Sequence, residues 1–404
     1  MLAPQTIETV KATAPAIQAN AAAIGNRFYE MLFEKAPELR NMFNQTNQET
    51  GVQPEALAYS VYQAGANIDR LKELRPTIER IAEKHRALDV RPEHYGLVGE
   101  TLLEAVEEVL GDAATPEILD AWGEAYHALA DIFIQKEAVK YEEVEAARGG
   151  WTGYRPFYVA EKVPESDVIT SFYLKPQDGE AIIPQQPGQY LTLQADIEGE
   201  PYTHMRHYSL SDAPNENYYR ISVKREDPEN GNPAGIVSNY LHRDVNEGDV
   251  LLFAAPAGEF VIETEEMPIV LISGGVGITP MMSMLNTLVQ EDTKRNVTFI
   301  HAADSSKVHA MKARVEQLAD TYSNIEAYTC YSAPTENDRT HRMFDKEGFI
   351  DADWLETVLP EEQADFYFCG PIPFMKVVNE ILKDRGVPAE RRHYEVFGPE
   401  STIE

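Results

Sequence analysis

Residues 206–211 read Arg-His-Tyr-Ser-Leu-Ser, and further along the chain comes Ser273-Gly-Gly-Val-Gly-Ile-Thr-Pro280. In the first run, Arg206, His207, Tyr208 and Ser209 put a guanidinium, aromatic rings and a hydroxyl within four residues of a β-type segment. That set suits a flavin, which needs a cation at its pyrophosphate, an aromatic face on its ring system and a donor near its reactive nitrogen. The second run follows an apolar stretch, residues 269–273. A glycine-rich turn between strand and helix lets the backbone approach a pyrophosphate, which the helix N-terminus then holds. Gly274, Gly275 and Gly277 supply the turn around Val276 and Ile278, and Thr279 can add a hydroxyl donor. Taken singly, each run is also what a casual strand arginine or a plain tight connection looks like.

A third candidate is His85. In Pro76-Thr-Ile-Glu-Arg-Ile-Ala-Glu-Lys-His85, residues Ile78, Ile81, Ala82 and His85 share one helix face. A histidine there is either an axial haem ligand or, more blandly, a satisfied core histidine. His94 and His127 compete on residue type alone, but His94 follows the break at Pro92 and His127 lacks a comparable partner helix.

These residues need elements to position them. Residues 1–148 read as consecutive helices, with apolar residues at helical spacing in Ile24, Phe28, Met31 and Leu32 and again in Leu102, Leu103, Val106 and Leu110. Pro37, Pro54, Pro76, Pro92 and Pro116 punctuate the region as prolines do at helix starts. Gly149-Gly150-Trp151-Thr152-Gly153 then breaks the pattern. After it, residues 157–163, 168–174, 190–193 and 219–223 alternate or run β-branched and aromatic, separated by turn signals such as Asp178-Gly179 and Pro187-Gly188. This predicts a small antiparallel β-barrel. From Pro268 onward strands alternate with helices (269–273, 281–290, 297–301, 307–321, 366–369 and 374–385), implying a parallel sheet with helices on both faces. Three domains are expected, all-α over 1–148, the β-barrel over 151–264 and the α/β domain over 265–404.

Composition narrows the partners. Of 404 residues, 43% are hydrophobic and 25% charged, ordinary for a globular protein. No apolar run is long enough to span a membrane, no secretory signal is apparent, and two cysteines are too few for a disulfide framework. A cytoplasmic protein with no obligatory membrane is expected. The net charge of −32 is spread along the chain and argues against nucleic acid or anionic membrane. We read it as an adaptation to a saline cytoplasm, in which case the melting temperature rises between low and molar salt.

The motifs together are specific. Arg206-His-Tyr-Ser-Leu-Ser, Gly235-Ile-Val-Ser238, Gly274-Gly-Val-Gly-Ile-Thr-Pro280 and Cys369-Gly-Pro371 resemble, in order and spacing, the ferredoxin–NADP reductase superfamily over residues 151–404. The resemblance implies FAD contacts at Tyr190, Arg206, Tyr208 and Ser209, and a pyrophosphate-binding turn at Gly235, Val237 and Ser238. It implies a segment closing over the flavin ring at Val396, Phe397, Gly398 and Pro399, and puts Cys369 near the nicotinamide of NAD(P)H. Phe43 after Pro37, Gln53 and Leu57 one turn apart, and Tyr29 on a helix face join His85 to resemble a globin, that of the flavohaemoglobins. This extends the resemblance over almost the whole chain.

It implies that His85 is the proximal ligand of haem b, with Tyr29 the distal hydroxyl toward bound dioxygen. Gln53 and Leu57 then line the distal side, and Phe43 packs on the porphyrin. Tyr95 and Glu137 hydrogen-bond near His85, where a carboxylate raises imidazole basicity, and Lys84 matches a position that influences haem and flavin potentials. The chain carries Val396 where many relatives carry cysteine. The implied activity is nitric oxide dioxygenation: electrons pass from NAD(P)H through FAD to haem, and NO and O2 become nitrate. A monomer acting on small molecules is expected. The rivals are a haem–flavin reductase or peroxidase acting on hydroperoxides, and an oxygen or nitric oxide sensor. NADH against NADPH stays open, because Asp304 could receive ribose hydroxyls while Lys307 and His309 are close in sequence.

Overall fold

Proline opens most of the early helices. In the computed structural model, which describes residues 2–43, 52–228, 233–263 and 267–398, Pro4, Pro76, Pro92 and Pro116 each occupy the first or second position of a helix. Their missing N–H groups fall where no intrahelical acceptor exists. The helices are Pro4–Ala19, Ala21–Lys35, Val52–Ala66, Arg75–Ala87, Pro92–Leu110 and Pro116–Ala146, with a short 3₁₀ turn at Pro37–Met42. Ala21–Lys35 buries Ile24, Phe28, Met31 and Leu32, the stripe expected of its spacing, together with Tyr29 and Phe33. Gly25 on this helix meets the start of Val52–Ala66 so closely that a Cβ would strike the Pro54 carbonyl.

Past the Gly149-Gly150 break the chain becomes β. Strands β1 (Arg155–Pro164), β2 (Ile169–Pro176), β3 (Tyr190–Ala195), β4 (His204–Ser209), β5 (Tyr219–Lys224) and β6 (Val250–Phe253) form one sheet in the order β4-β3-β6-β1-β2-β5. β1 pairs antiparallel with β2, and β2 with β5. The sheet curls until its ends meet, for Leu210, just past β4, bridges Ile221 of β5, and Ser211 donates its N–H to the Arg220 carbonyl. Closure of this kind removes exposed strand edges. The helix Ile236–Arg243 follows β5.

The last sheet has the order β10-β9-β8-β7-β11-β12, from β7 (Ile269–Gly274), β8 (Val297–Ala303), β9 (Ile325–Tyr331), β10 (Lys346–Glu347), β11 (Asp365–Cys369) and β12 (Arg392–Glu395). Every neighbouring pair is parallel. From β7 the chain steps outward through β8 to β10, then returns to the other side at β11. The strand order therefore reverses between β7 and β11, and ligands of open α/β sheets bind at such a reversal. Both central strands are buried throughout.

Two differences from the sequence expectations have local causes. The helix expected over 307–321 begins only at Lys312, because Met311 is left-handed (φ 58°) and interrupts it. The helix after the glycine turn begins at Ile278, three residues earlier than expected, and buries nearly every residue. By contacts the chain divides into two units, Met1–Arg155 with Thr192–Arg206 and Phe253–Ala257, and the remainder.

Candidate active site

Nδ1 of His85 lies 2.7 Å from Oε1 of Glu137 and 3.0 Å from the Tyr95 hydroxyl. Tyr95 donates to the same Glu137 oxygen at 2.5 Å. The hydroxyl's one hydrogen is engaged there and a carboxylate only accepts, so Nδ1 must carry the imidazole proton. In the neutral ring the lone pair then sits on Nε2, which has no hydrogen-bond partner among the described residues. The Glu137 side chain is 3% exposed and that of His85 31%, so the acid is sealed in while the ring edge stays open. Burial, and then the Glu137 carboxylate, hold the Tyr95 phenol far above its ordinary range, and it remains a donor. Oε2 of Glu137 is buried without a partner among the described residues, which directs the carboxylate onto His85 and Tyr95 through Oε1.

Tyr29 belongs to an aromatic box. Its ring meets Phe28 edge-on at 4.9 Å and Phe43 edge-on at 5.2 Å, and Phe33 lies 5.7 Å away. Gln53 and Leu57 are half-buried on Val52–Ala66, and Leu57 packs on the same core as Phe43. Among the described residues of the helical region, two apolar clusters stand apart. One gathers Tyr29, Phe43 and Leu57; the other gathers Ile78, Ala82, Phe133 and Tyr95 around His85. A domain of this size ordinarily has one contiguous core. A divided core, with an open imidazole lone pair on one part and a tyrosine on the other, fits a flat apolar metal macrocycle such as haem.

The flavin candidates lie on β3, β4 and a helix start. Tyr190, 4% exposed, packs its ring 4.7 Å from that of His207. Arg206 and Tyr208 are half-buried, Arg206 donating to the Met205 carbonyl, and Ser209 is buried. Gly235 caps Ile236–Arg243 without a side-chain hydrogen bond, and the amides of residues 236–238 have no acceptor among the described residues. Val237 is buried, and Ser238 accepts the Glu226 N–H. An uncapped helix start carries partial positive charge and free N–H groups, a cradle that fits a pyrophosphate.

At the strand reversal, Gly274 ends β7 and Gly275 turns with φ 55°. Gly277 lies against the Cys369 carbonyl, where a Cβ would collide. Val276 is half-buried and Ile278 fully buried. The Thr279 hydroxyl points inward and donates to the Val276 carbonyl at 3.0 Å, so it shapes the turn and its hydrogen is not offered outward. Cys369 is fully buried, and burial, reinforced by Glu395, pushes its thiol well above the ordinary value. It is an apolar wall at the reversal and no thiolate. This backbone-lined turn fits a dinucleotide.

Three family models match in the same order: Globin over residues 26–133, Oxidoreductase FAD-binding domain over 156–262 and Oxidoreductase NAD-binding domain over 271–380. A flavohaemoprotein of Bacillus thuringiensis subsp. konkukian is 55% identical over 405 residues, covering all of both chains. That of Halalkalibacterium halodurans is 53% identical, covering all of this chain and 98% of its own. The chain belongs to the flavohaemoprotein family. A crystal structure of the flavohaemoglobin of Malassezia yamatoensis with bound FAD and haem shares the fold, with a TM-score of 0.85 at 24% identity, covering 98% of this chain and 100% of that one. The FAD/NAD-binding domain of nitric oxide dioxygenase from Vibrio cholerae is 43% identical with a TM-score of 0.56, covering 61% of this chain and 99% of that one.

Other residues of this flavohaemoprotein fall as follows. Lys84 is half-buried beside His85, with no ion pair among the described residues. Val396 packs on the α/β core, Phe397 and Gly398 are exposed, and Pro399 lies outside the described residues. Sequence reading missed Glu395, which stands opposite Cys369 in the β11–β12 register. Its position directly before Val396-Phe397 was the available signal. Also missed was a set of charges behind His85, at Glu83, Arg86 and Lys140.

Proposed function

We propose that this flavohaemoprotein is a nitric oxide dioxygenase, oxidising NO with O2 to nitrate at the expense of NAD(P)H. The observation that carries the reading is His85, whose Nδ1 proton is fixed by Glu137 and Tyr95 so that Nε2 is free to ligate iron. Haem b, when bound, would supply the iron at which O2 and NO react, and FAD the means to divide a hydride's two electrons into single ones. Glu137, by accepting the Nδ1–H hydrogen bond, fixes the tautomer and orientation of the His85 ring and pushes electron density toward Nε2. Tyr29 supplies a hydroxyl on the distal side with Gln53 and Leu57, and its aromatic neighbours restrict water there.

Arg206 and the Gly235–Ser238 helix start bind the flavin pyrophosphate, with Tyr190, His207, Tyr208 and Ser209 along the ring system. Val396 to Gly398 border that ring, Lys84 adjusts the two potentials, and Gly274 to Thr279 with Cys369 holds the nicotinamide dinucleotide. Asp304, exposed at the end of β8 and oriented by the Ser332 hydroxyl at 2.6 Å, supports a preference for NADH. His309 is turned away into the core against Tyr331, which leaves Lys307 as the remaining nearby base. No helix of the described residues is long and apolar enough to cross a membrane. We place the enzyme in the cytoplasm as a monomer.

The test is aerobic NADH oxidation by the purified holoprotein with and without NO. Oxidation that rises with NO and yields nitrate is the expected result. NADH oxidation indifferent to NO contradicts the assignment, and a rise with hydroperoxide instead points to a peroxidase.

A further inference from the structure

Behind His85 the facing helices are joined by charges of unequal burial. Glu83 accepts from Arg86 at 2.9 Å and from Lys140 at 2.8 Å, and all three side chains are 13% exposed or less. One turn earlier, Glu79 pairs with Lys136 at 2.8 Å across a more open stretch, the side chains 28% and 37% exposed. Arg86 also donates to the Pro256 carbonyl at 2.6 Å. Elsewhere among the described helical residues, pairs such as Lys11–Asp69 and Arg27–Glu108 are about a third or more exposed, and such pairs contribute little to stability. The Glu83 cluster is of another kind. Burying three charged groups carries a large desolvation penalty, and the best-attested return from such a pair is a unique register between helices.

The register at stake is that of His85 against Glu137. Glu83 and His85 share the helix Arg75–Ala87, and Glu137 and Lys140 share Pro116–Ala146. Lys140 also reaches Glu79 at 3.8 Å, so sliding one helix by a turn, about 5.4 Å, keeps one pair, Glu83–Lys136 or Glu79–Lys140. It sets the other carboxylate against Ile132 or Val144, and Arg86, Glu83 and Lys140 no longer meet. The same slip would carry Glu137 out of reach of Nδ1.

We propose that Glu83, clamped between Arg86 and Lys140, is a positioning site that fixes the length of the His85–Glu137 hydrogen bond and so sets how strongly His85 donates to iron. The proposal rests on His85 being the haem ligand. It is tested on ferrous holoprotein by resonance Raman, reading the iron–histidine stretching band. Glu137→Gln lowers that band most. Lys140→Met, which keeps the packed stem, and Glu83→Gln, which keeps the shape, both lower it in the same direction by less, while Lys140→Arg restores it. Lys136→Met, at the exposed pair, leaves it in place. An unmoved band in both Lys140→Met and Glu83→Gln, with Glu137→Gln shifted, overturns the positioning role alone. An unmoved band in Glu137→Gln overturns the ligand assignment and the proposal with it.

Discussion

His85 and the pair His301 and His309 are histidines on the inner faces of their domains, yet their surroundings make them opposites. His85 has a carboxylate on Nδ1, and its ring edge is open. Among the described residues, His301 and His309 have only hydroxyl partners, Ser273 at 2.8 Å and Tyr331 at 2.9 Å. Their rings lie 4.2 Å apart, at most 5% exposed, and their Nε2 atoms have no partner among the described residues. Burial pushes the His301 imidazole down to about 3, and burial with His301 and Lys312 pushes His309 well below its ordinary value. Both stay neutral and serve as packing behind the nucleotide-binding strands. A buried carboxylate and an open edge suit an imidazole to ligation; hydroxyls and full burial suit it to filling a core.

The comparison breaks first at His85. His85→Ala is expected to abolish NO-dependent turnover and the normal haem spectrum while leaving reduction of the flavin by NADH intact. A normal haem spectrum in that variant contradicts the assignment.

A smaller effect separates the filler pair. Because the folded-state value of His301 lies below its unfolded value of about 6.5, the unfolded chain binds a proton that the native chain refuses as pH falls. Its contribution to stability is whole above about pH 6.5 and is lost progressively toward pH 3. Thermal unfolding of the reductase half, followed by flavin fluorescence from pH 7.5 to 4.5, should show this loss. His301→Gln should flatten the slope, and an unchanged slope would remove His301 as a cause.

The smallest effect concerns the coenzyme. Asp304→Ser removes a charged acceptor for ribose hydroxyls, and such hydrogen bonds contribute roughly 1.5–3 kcal/mol. The ratio of kcat/KM for NADH over NADPH should fall by on the order of 10-fold or more. An unchanged ratio places selectivity elsewhere, Lys307 being the next residue to vary.

How much of this was legible in the sequence depends on the range of the interaction. Proline starts, the Ile24–Leu32 stripe and the strand before Gly274 are local, and they appear where the spacing puts them. Glu137 lies 52 residues from His85 and 42 from Tyr95, so only the family resemblance reached their link. Glu395 escaped because a parallel strand pairing, β11 with β12, brings it to Cys369. Nothing in the spacing of Glu83 and Lys140 marks them, and only the packing of one helix on the other buries them. Thr279 looked like a ligand donor because a motif gives the residue type without the rotamer.

The central claim is that electrons enter as a hydride and leave singly at a centre held by His85. Nitrate formed per NADH consumed, measured in air with limiting NO, tests it most directly. Each NO joined to O2 needs one electron to become nitrate and a hydride carries two, so a yield of about two nitrates per NADH is expected. NADH consumption with no nitrate, or with a yield unaffected by NO, would contradict it.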